Sequence, residues 1–217
     1  MTPGAAERLS VRVLLAYALP AFVVALPTIP VYIHLPALYG VEMGLGLAAT
    51  GGLFLVARLF DTVTDPLFGA LSDRFHFRGA QRKPWIAIGA VIAALGLFKV
   101  LHPPAGVDGA YLLTWCVVLY GGWTMVAVPY LAWGAELSTD YDQRTRITSW
   151  RESMTLLGIL GAGILAAVTA KLGWPETRSI GAVAWLAILI GAAVVPVLLF
   201  GVPERPTTVR TQAPRMP

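Results

Sequence analysis

Arg58, Asp61, Thr62 and Asp65 lie inside a stretch, Leu47–Ser72, that is otherwise largely apolar. An ionisable group in hydrocarbon costs at least about 2.5–3.5 kcal/mol on insertion scales, so three within two helical turns require a reason. At 3.6 residues per turn, positions 58, 61, 62 and 65 share one helical face. That face carries one guanidinium, two carboxylates and a hydroxyl. One reading is structural: Arg58 neutralises Asp61 one turn on, while Asp65 caps or pairs with another helix. The other is a cation site, in which hard oxygen ligands take Na⁺ or a carboxylate takes H⁺. Arg58 offsets one of the two acids, leaving a net charge of −1 that a monovalent cation would cancel. The surplus charge favours the second reading.

Other residues could contribute to a solute site. Tyr120, Trp123, Ala127, Tyr130 and Gly134 fall along one helical stripe, and an aromatic wall can stack on the apolar C–H face of a sugar ring. Ordinary helix packing is the competing reading for each member, and Trp123 is the strongest functional candidate. Arg151 reads equally as a substrate contact or as a snorkelling anchor. The run Gly69-Ala-Leu-Ser-Asp73-Arg74, followed by Arg78, Arg82 and Lys83, places one acid and clustered bases at a helix end, where they meet helix termini and anionic headgroups. His34, His76 and His102 are far apart in sequence, and Cys116 is the sole cysteine. No metal site beyond one for Na⁺, and no cofactor, is expected.

The elements that hold these residues follow from composition. The chain has 217 residues, 57% hydrophobic and 13% charged. Soluble domains carry about 25% charged residues. Apolar runs near 20 residues must be helices if they cross a bilayer, where the backbone has no water to bond. Six are expected, near residues 11–37, 47–72, 84–101, 110–134, 148–172 and 180–202. Of the 16 Lys and Arg residues, 12 fall at one side of this arrangement. The positive-inside rule makes that side cytoplasmic and puts both termini there. Residues 203–217 read as a disordered cytoplasmic tail. A net charge of +4, with bases lying between apolar spans, argues against nucleic acid as a partner. Membrane lipids are the expected surroundings.

Proline within a span frees a carbonyl and bends the helix, which suits a cavity wall. Val24-Ala25-Leu26-Pro27 in span 1 and Val126-Ala127-Val128-Pro129 in span 4 would correspond if spans 1–3 and 4–6 form inverted repeats. Both spans are then expected to be broken.

The pattern Arg58-Leu-Phe-Asp61-x3-Asp65-Pro66-x2-Gly69-x3-Asp73-Arg74 resembles the signature of the glycoside–pentoside–hexuronide:cation symporters of the major facilitator superfamily. A second block agrees: Val128-Pro129-Tyr130-x2-Trp133-Gly134-Ala135-Glu136-Leu137, then Tyr141-Asp142-x-Arg144-Thr145-Arg146 and Trp150-Arg151-Glu152. The resemblance implies an all-α membrane protein, the N-terminal six-helix half of a twelve-span carrier. It implies that Asp61 and Asp65 bind the coupling ion, that Arg151 lies at the sugar site with Trp123 near it, and that Gly69, Asp73, Arg74, Arg82 and Lys83 form a cytoplasmic gating loop. Two family acids that hold sugar hydroxyls have no counterpart: span 1 has none, and the span-4 position is Ala127. A central solute site also needs walls from a second six-helix half, a separate chain or a second copy.

The expected function is therefore cation-coupled symport of a sugar-like solute across the cytoplasmic membrane. A non-transporting assembly or sensor subunit derived from a transporter half is the alternative. A membrane enzyme is not expected: there is no His-Glu-x-x-His, no Ser/His nucleophile pair and no Asp-rich diphosphate motif.

Overall fold

The computed structural model describes residues 8–75 and 81–204. His76, Arg78, Arg205, Arg210, Arg215 and the tail from residue 205 onward lie outside the described residues. Six helices are long and apolar enough to cross a membrane. They are α1 (Val11–Glu42), α2 (Leu47–Arg74), α3 (Lys83–Leu101), α4 (Gly109–Glu136), α5 (Tyr141–Lys171) and α6 (Glu176–Gly201). There is no strand among the described residues.

Local chemistry sets the starts. Asp108 accepts the Tyr111 amide at 2.9 Å and Asp140 accepts the Gln143 amide at 2.9 Å, each satisfying a donor that the first turn leaves open. Asp140 also explains why α5 begins at Tyr141, seven residues before its apolar run. The intervening turns are polar but capped, so they are helical without being hydrophobic. Gly46 supplies the positive φ, +83°, at the entry to α2.

The proline-bearing spans differ. Helix α1 is regular only as far as Ala25. Pro27, Pro30 and Pro36 then remove three amide donors within ten residues, and the chain widens into π-helical turns at Pro30–His34 and Leu38–Glu42. In contrast, α4 stays helical through Pro129, against expectation. One proline deletes one bond, and the neighbouring turns hold the axis.

Close approach of backbones replaces a hydrophobic drive between helices in lipid. A Cβ on Gly122 would lie 2.4 Å from Ala93 N, so α3 and α4 touch backbone to backbone. A Cβ on Gly158 would lie 2.4 Å from Phe22 O, fixing α5 against α1 in the same way. Helix α4 also packs on α2, and α1 on α6. Two apolar clusters stack along the bundle. One, around Leu35, Tyr39, Val100 and Leu112, lies toward the His34 end; the other, around Tyr17, Ile86, Tyr130 and Trp133, lies toward the Arg82 end. Only 17% of the apolar stretch of α2, and the same share of α5, is buried, against 56% for α1. The outer sides of α2 and α5 are therefore open.

Candidate cation and solute site

Asp61 and Asp65 are brought together by a residue that the pattern on α2 did not reveal. Thr124 of α4 points at α2, and its Oγ1 lies 2.8 Å from Asp61 Oδ1 and 2.8 Å from Asp65 Oδ1. A threonine hydroxyl has one proton to donate. It donates to one carboxylate and can offer the other only lone pairs. Asp61 Oδ2 accepts from Arg58 Nη1 at 2.9 Å. The local sum is one guanidinium against two carboxylates, the −1 anticipated from sequence. Asp65 is exposed and Asp61 half-buried, so the pair is reachable from outside rather than sealed in the core.

Arg58 is held from three sides. Its Nη2 donates to the Tyr32 hydroxyl, and its guanidinium lies 4.9 Å from the Tyr32 ring centroid and 5.1 Å from that of Tyr120. Tyr32 belongs to the widened turn Pro30–His34, so the irregular stretch of α1 brings an aromatic face to the ion pair. Thr62 is turned elsewhere: its hydroxyl donates to the Arg58 carbonyl at 3.0 Å, within its own helix. Thr64, buried and one turn beyond Asp61, donates its hydroxyl to Asp61 O at 3.1 Å.

The aromatic stripe of α4 divides. Tyr120 is buried in the core with its ring against Arg58. Tyr130 is buried as well, stacked on Tyr17 with ring centroids 4.7 Å apart. Tyr130 donates to Tyr17 O at 2.7 Å, and Tyr17 donates to Tyr130 O at 3.1 Å, so the two helices exchange hydrogen bonds. Both tyrosines are committed to packing here, and neither offers a free ring face to a solute. Trp123, one residue before Thr124, points about 100° away around the helix. It lines an apolar cavity of about 360 Å³ bounded by α1, α3, α4 and α6. Arg151 instead borders a small pocket of about 150 Å³ of mixed lining, with Tyr17, Leu131, Arg144, Ile147 and Thr148, and pairs with Glu152.

The basic loop residues separate similarly. Arg82 is buried at the start of α3. Its Nη1 donates to Ser72 Oγ at 3.1 Å and Asp73 Oδ1 at 2.5 Å, and its Nη2 donates to Glu136 Oε1 at 2.7 Å. Burial alone would lower its pKa; the hydrogen bonds to Glu136 and Asp73 outweigh this and hold it above the ordinary arginine value. Glu204, in the segment read as a disordered tail, accepts the Gln81 amide at 2.8 Å and the Arg82 amide at 2.5 Å. Lys83 sits over the Trp133 ring at 5.4 Å. Gly69 of α2 packs beside Val128 of α4, and Arg74 closes the last turn of α2. Ends of α2 and α4 thus meet at the Arg82 guanidinium, and the chain leaving α6 meets the backbone amides of Gln81 and Arg82. No group of three His, Cys, Asp or Glu side chains suited to a metal ion occurs among the described residues.

The MFS/sugar transport protein family model matches residues 16–214. The chain belongs to that family. Within it, the relatives are glycoside–pentoside–hexuronide:cation symporters, and they are transporters, not enzymes. The inner membrane symporter YicJ of Escherichia coli (strain K12) is 29% identical over 167 residues, covering 73% of this chain and 35% of its own length. The isoprimeverose transporter of Lactiplantibacillus pentosus is 27% identical over 208 residues, covering 91% of this chain and 42% of its own. The sodium-dependent lysophosphatidylcholine symporter 1-B of Danio rerio is 30% identical over 113 residues, covering 50% of this chain and 21% of its own. This member of the MFS/sugar transport family therefore spans less than half the length of these relatives. It is a multi-pass membrane protein by its six apolar helices and its kinship.

Proposed function

We propose that this chain supplies the ion-binding half of a cation-coupled symporter, with Asp61, Asp65 and Thr124 as the ion's ligands and a sugar-like solute as cargo. The observation that carries the proposal is the single Thr124 hydroxyl within 2.8 Å of two carboxylates. Three oxygens gathered with one hydroxyl proton, and a net charge of −1, form a locus that H⁺ or Na⁺ completes. Arg58, held by Tyr32 and Tyr120, keeps the charge surplus at one unit rather than two. Two relatives, an isoprimeverose transporter and a sodium-dependent symporter, support cargo and ion respectively. Arg151 and the small pocket beside it lie at the level of Gly134, about 15 Å along α4 from Thr124 at 1.5 Å per residue. A solute between the two would take Arg151 as a polar contact.

A second six-helix half packs against the open sides of α2 and α5 in this reading. These carry exposed Leu55, Leu59, Val63 and Leu67 on one helix and Leu156, Leu160 and Ile164 on the other. The pairings α1 with α5 and α1 with α6 become α4 with α2 and α4 with α3 when α1, α2, α3 are exchanged for α4, α5, α6. That exchange supports a 3+3 repeat. The basic Arg82 end faces the cytoplasm of an inner membrane by the positive-inside rule, and its Asp73–Arg82–Glu136 cluster acts as the gating contact.

The test is ion uptake by the purified chain in detergent, followed with radioactive Na⁺ and, separately, with a pH indicator. One of the two ions binds saturably, and Asp61→Asn or Asp65→Asn abolishes that binding. If both variants bind like the wild type, these aspartates are not the ion site.

A further inference from the structure

We propose that the apolar slot bounded by α1, α3, α4 and α6 takes up one acyl chain of a bilayer lipid. This inference is independent of the ion site and concerns the residue, Trp123, that the site does not use.

The slot follows from residue size. Ala90 and Ala94 on α3 face Ala187 and Gly191 on α6, so neither helix fills the space between them. Pro196 removes an amide from the α6 ladder at the slot's edge, which lets that helix stand off. On the outer sides, Val91, Leu189 and Val197 are exposed apolar residues of spanning helices, so the gap opens onto hydrocarbon.

Its dimensions select the occupant. The α3 wall runs from Ile86 to Leu97, about 16 Å at 1.5 Å per residue, along more than half of a hydrocarbon core about 30 Å thick. Spreading 360 Å³ over that length leaves a section of about 22 Å². A helix, at least about 10 Å across, does not fit. About twelve waters would be needed to fill it at ~30 Å³ each, and each water needs two to four polar partners. Trp123 is the only lining side chain with a polar atom. A sugar would leave its hydroxyls unpartnered for the same reason. A single polymethylene chain matches the section, the lining and the medium outside.

The test places the full chain in phosphatidylcholine vesicles with a trace of phosphatidylcholine bearing a diazirine midway along one acyl chain. After photolysis, mass spectrometry locates the adducts. Adducts are expected on inward residues, Val24, Trp123 and Ala187, as well as on outward Leu189. Ala192→Phe and Ala94→Phe each put a ring into the slot. In either variant the inward adducts are lost while those on Leu189 persist, and circular dichroism of the same vesicles reports that the helices are intact. Either variant suffices if the other fails to fold. Wild-type adducts confined to outward residues, inward adducts surviving both substitutions, or inward labelling by a water-soluble diazirine would each overturn the proposal.

Discussion

Replacing Thr124 with valine removes one oxygen and keeps the branched shape, so it isolates the hydroxyl. In the structure that hydroxyl is within 2.8 Å of both aspartates, and Arg58 reaches only Asp61. A hydrogen bond to a charged group contributes about 1.5–3 kcal/mol. At about 1.4 kcal/mol per tenfold, the Thr124→Val chain, short of one oxygen ligand, should bind Na⁺ roughly 10- to 150-fold more weakly, as read by equilibrium dialysis against radioactive Na⁺. If the wild type takes H⁺ instead, losing a donor to the ionised pair favours protonation, and a pH indicator should read tighter proton binding. Thr124→Ser keeps the oxygen and loses the methyl, so it should stay close to wild type. Two results would refute the reasoning: valine binding like threonine, or serine failing as badly as valine. The first removes the hydroxyl from the site. The second assigns its effect to packing.

Gly134→Ala should destabilise the chain by about 2–4 kcal/mol, because its Cβ would lie 1.9 Å from the Tyr17 hydroxyl and displace a stacked ring whose hydroxyl donates to the Tyr130 carbonyl. Denaturant unfolding in micelles measures this, and in a Tyr17→Leu background the same change should cost little more. Arg82→Met should cost about 2–3 kcal/mol, below the figure for a fully buried pair because Asp73 and Glu136 keep some water contact. Adding Glu136→Gln should then be less than additive in thermal unfolding. Arg58→Gln should tighten ion binding on the order of fivefold, since it removes a half-exposed positive charge that competes with the ion; weakened binding would mean that Arg58 serves mainly to fold the site.

The six spans were legible because hydrocarbon tolerates little besides apolar helix, so composition and length suffice to find them. What hydropathy could not find were the capped polar turns at the start of α5, where Asp140 stabilises helix without apolar content. Period 3.6 gathered Arg58, Asp61, Thr62 and Asp65 on one face, but it said nothing of what lies opposite, nor that the Thr62 hydroxyl would bond within its own helix. Thr124 is 59 residues beyond Asp65 and belongs to another helix. A hint was available: it is the one aliphatic hydroxyl in the run Val117–Tyr130, and a polar atom at membrane depth wants a partner. The same blindness to rotation made Trp123 look like a solute contact, although a helix that aims residue 124 at α2 must aim 123 at α3 and α6. Arg82 read as one of several loop bases. Its burial depends on Ser72, Asp73, Glu136 and Glu204, which three other helices or their ends deliver, and no local pattern encodes that meeting.

The grip of Glu204 on the two amides ahead of α3 has a mechanical consequence. A pull on the chain as it leaves α6 is borne at once by the Arg82 backbone, and through its guanidinium by the last turns of α2 and α4. Load entering at that corner is shared among four rods instead of bending one, so they tilt together as a stiff block.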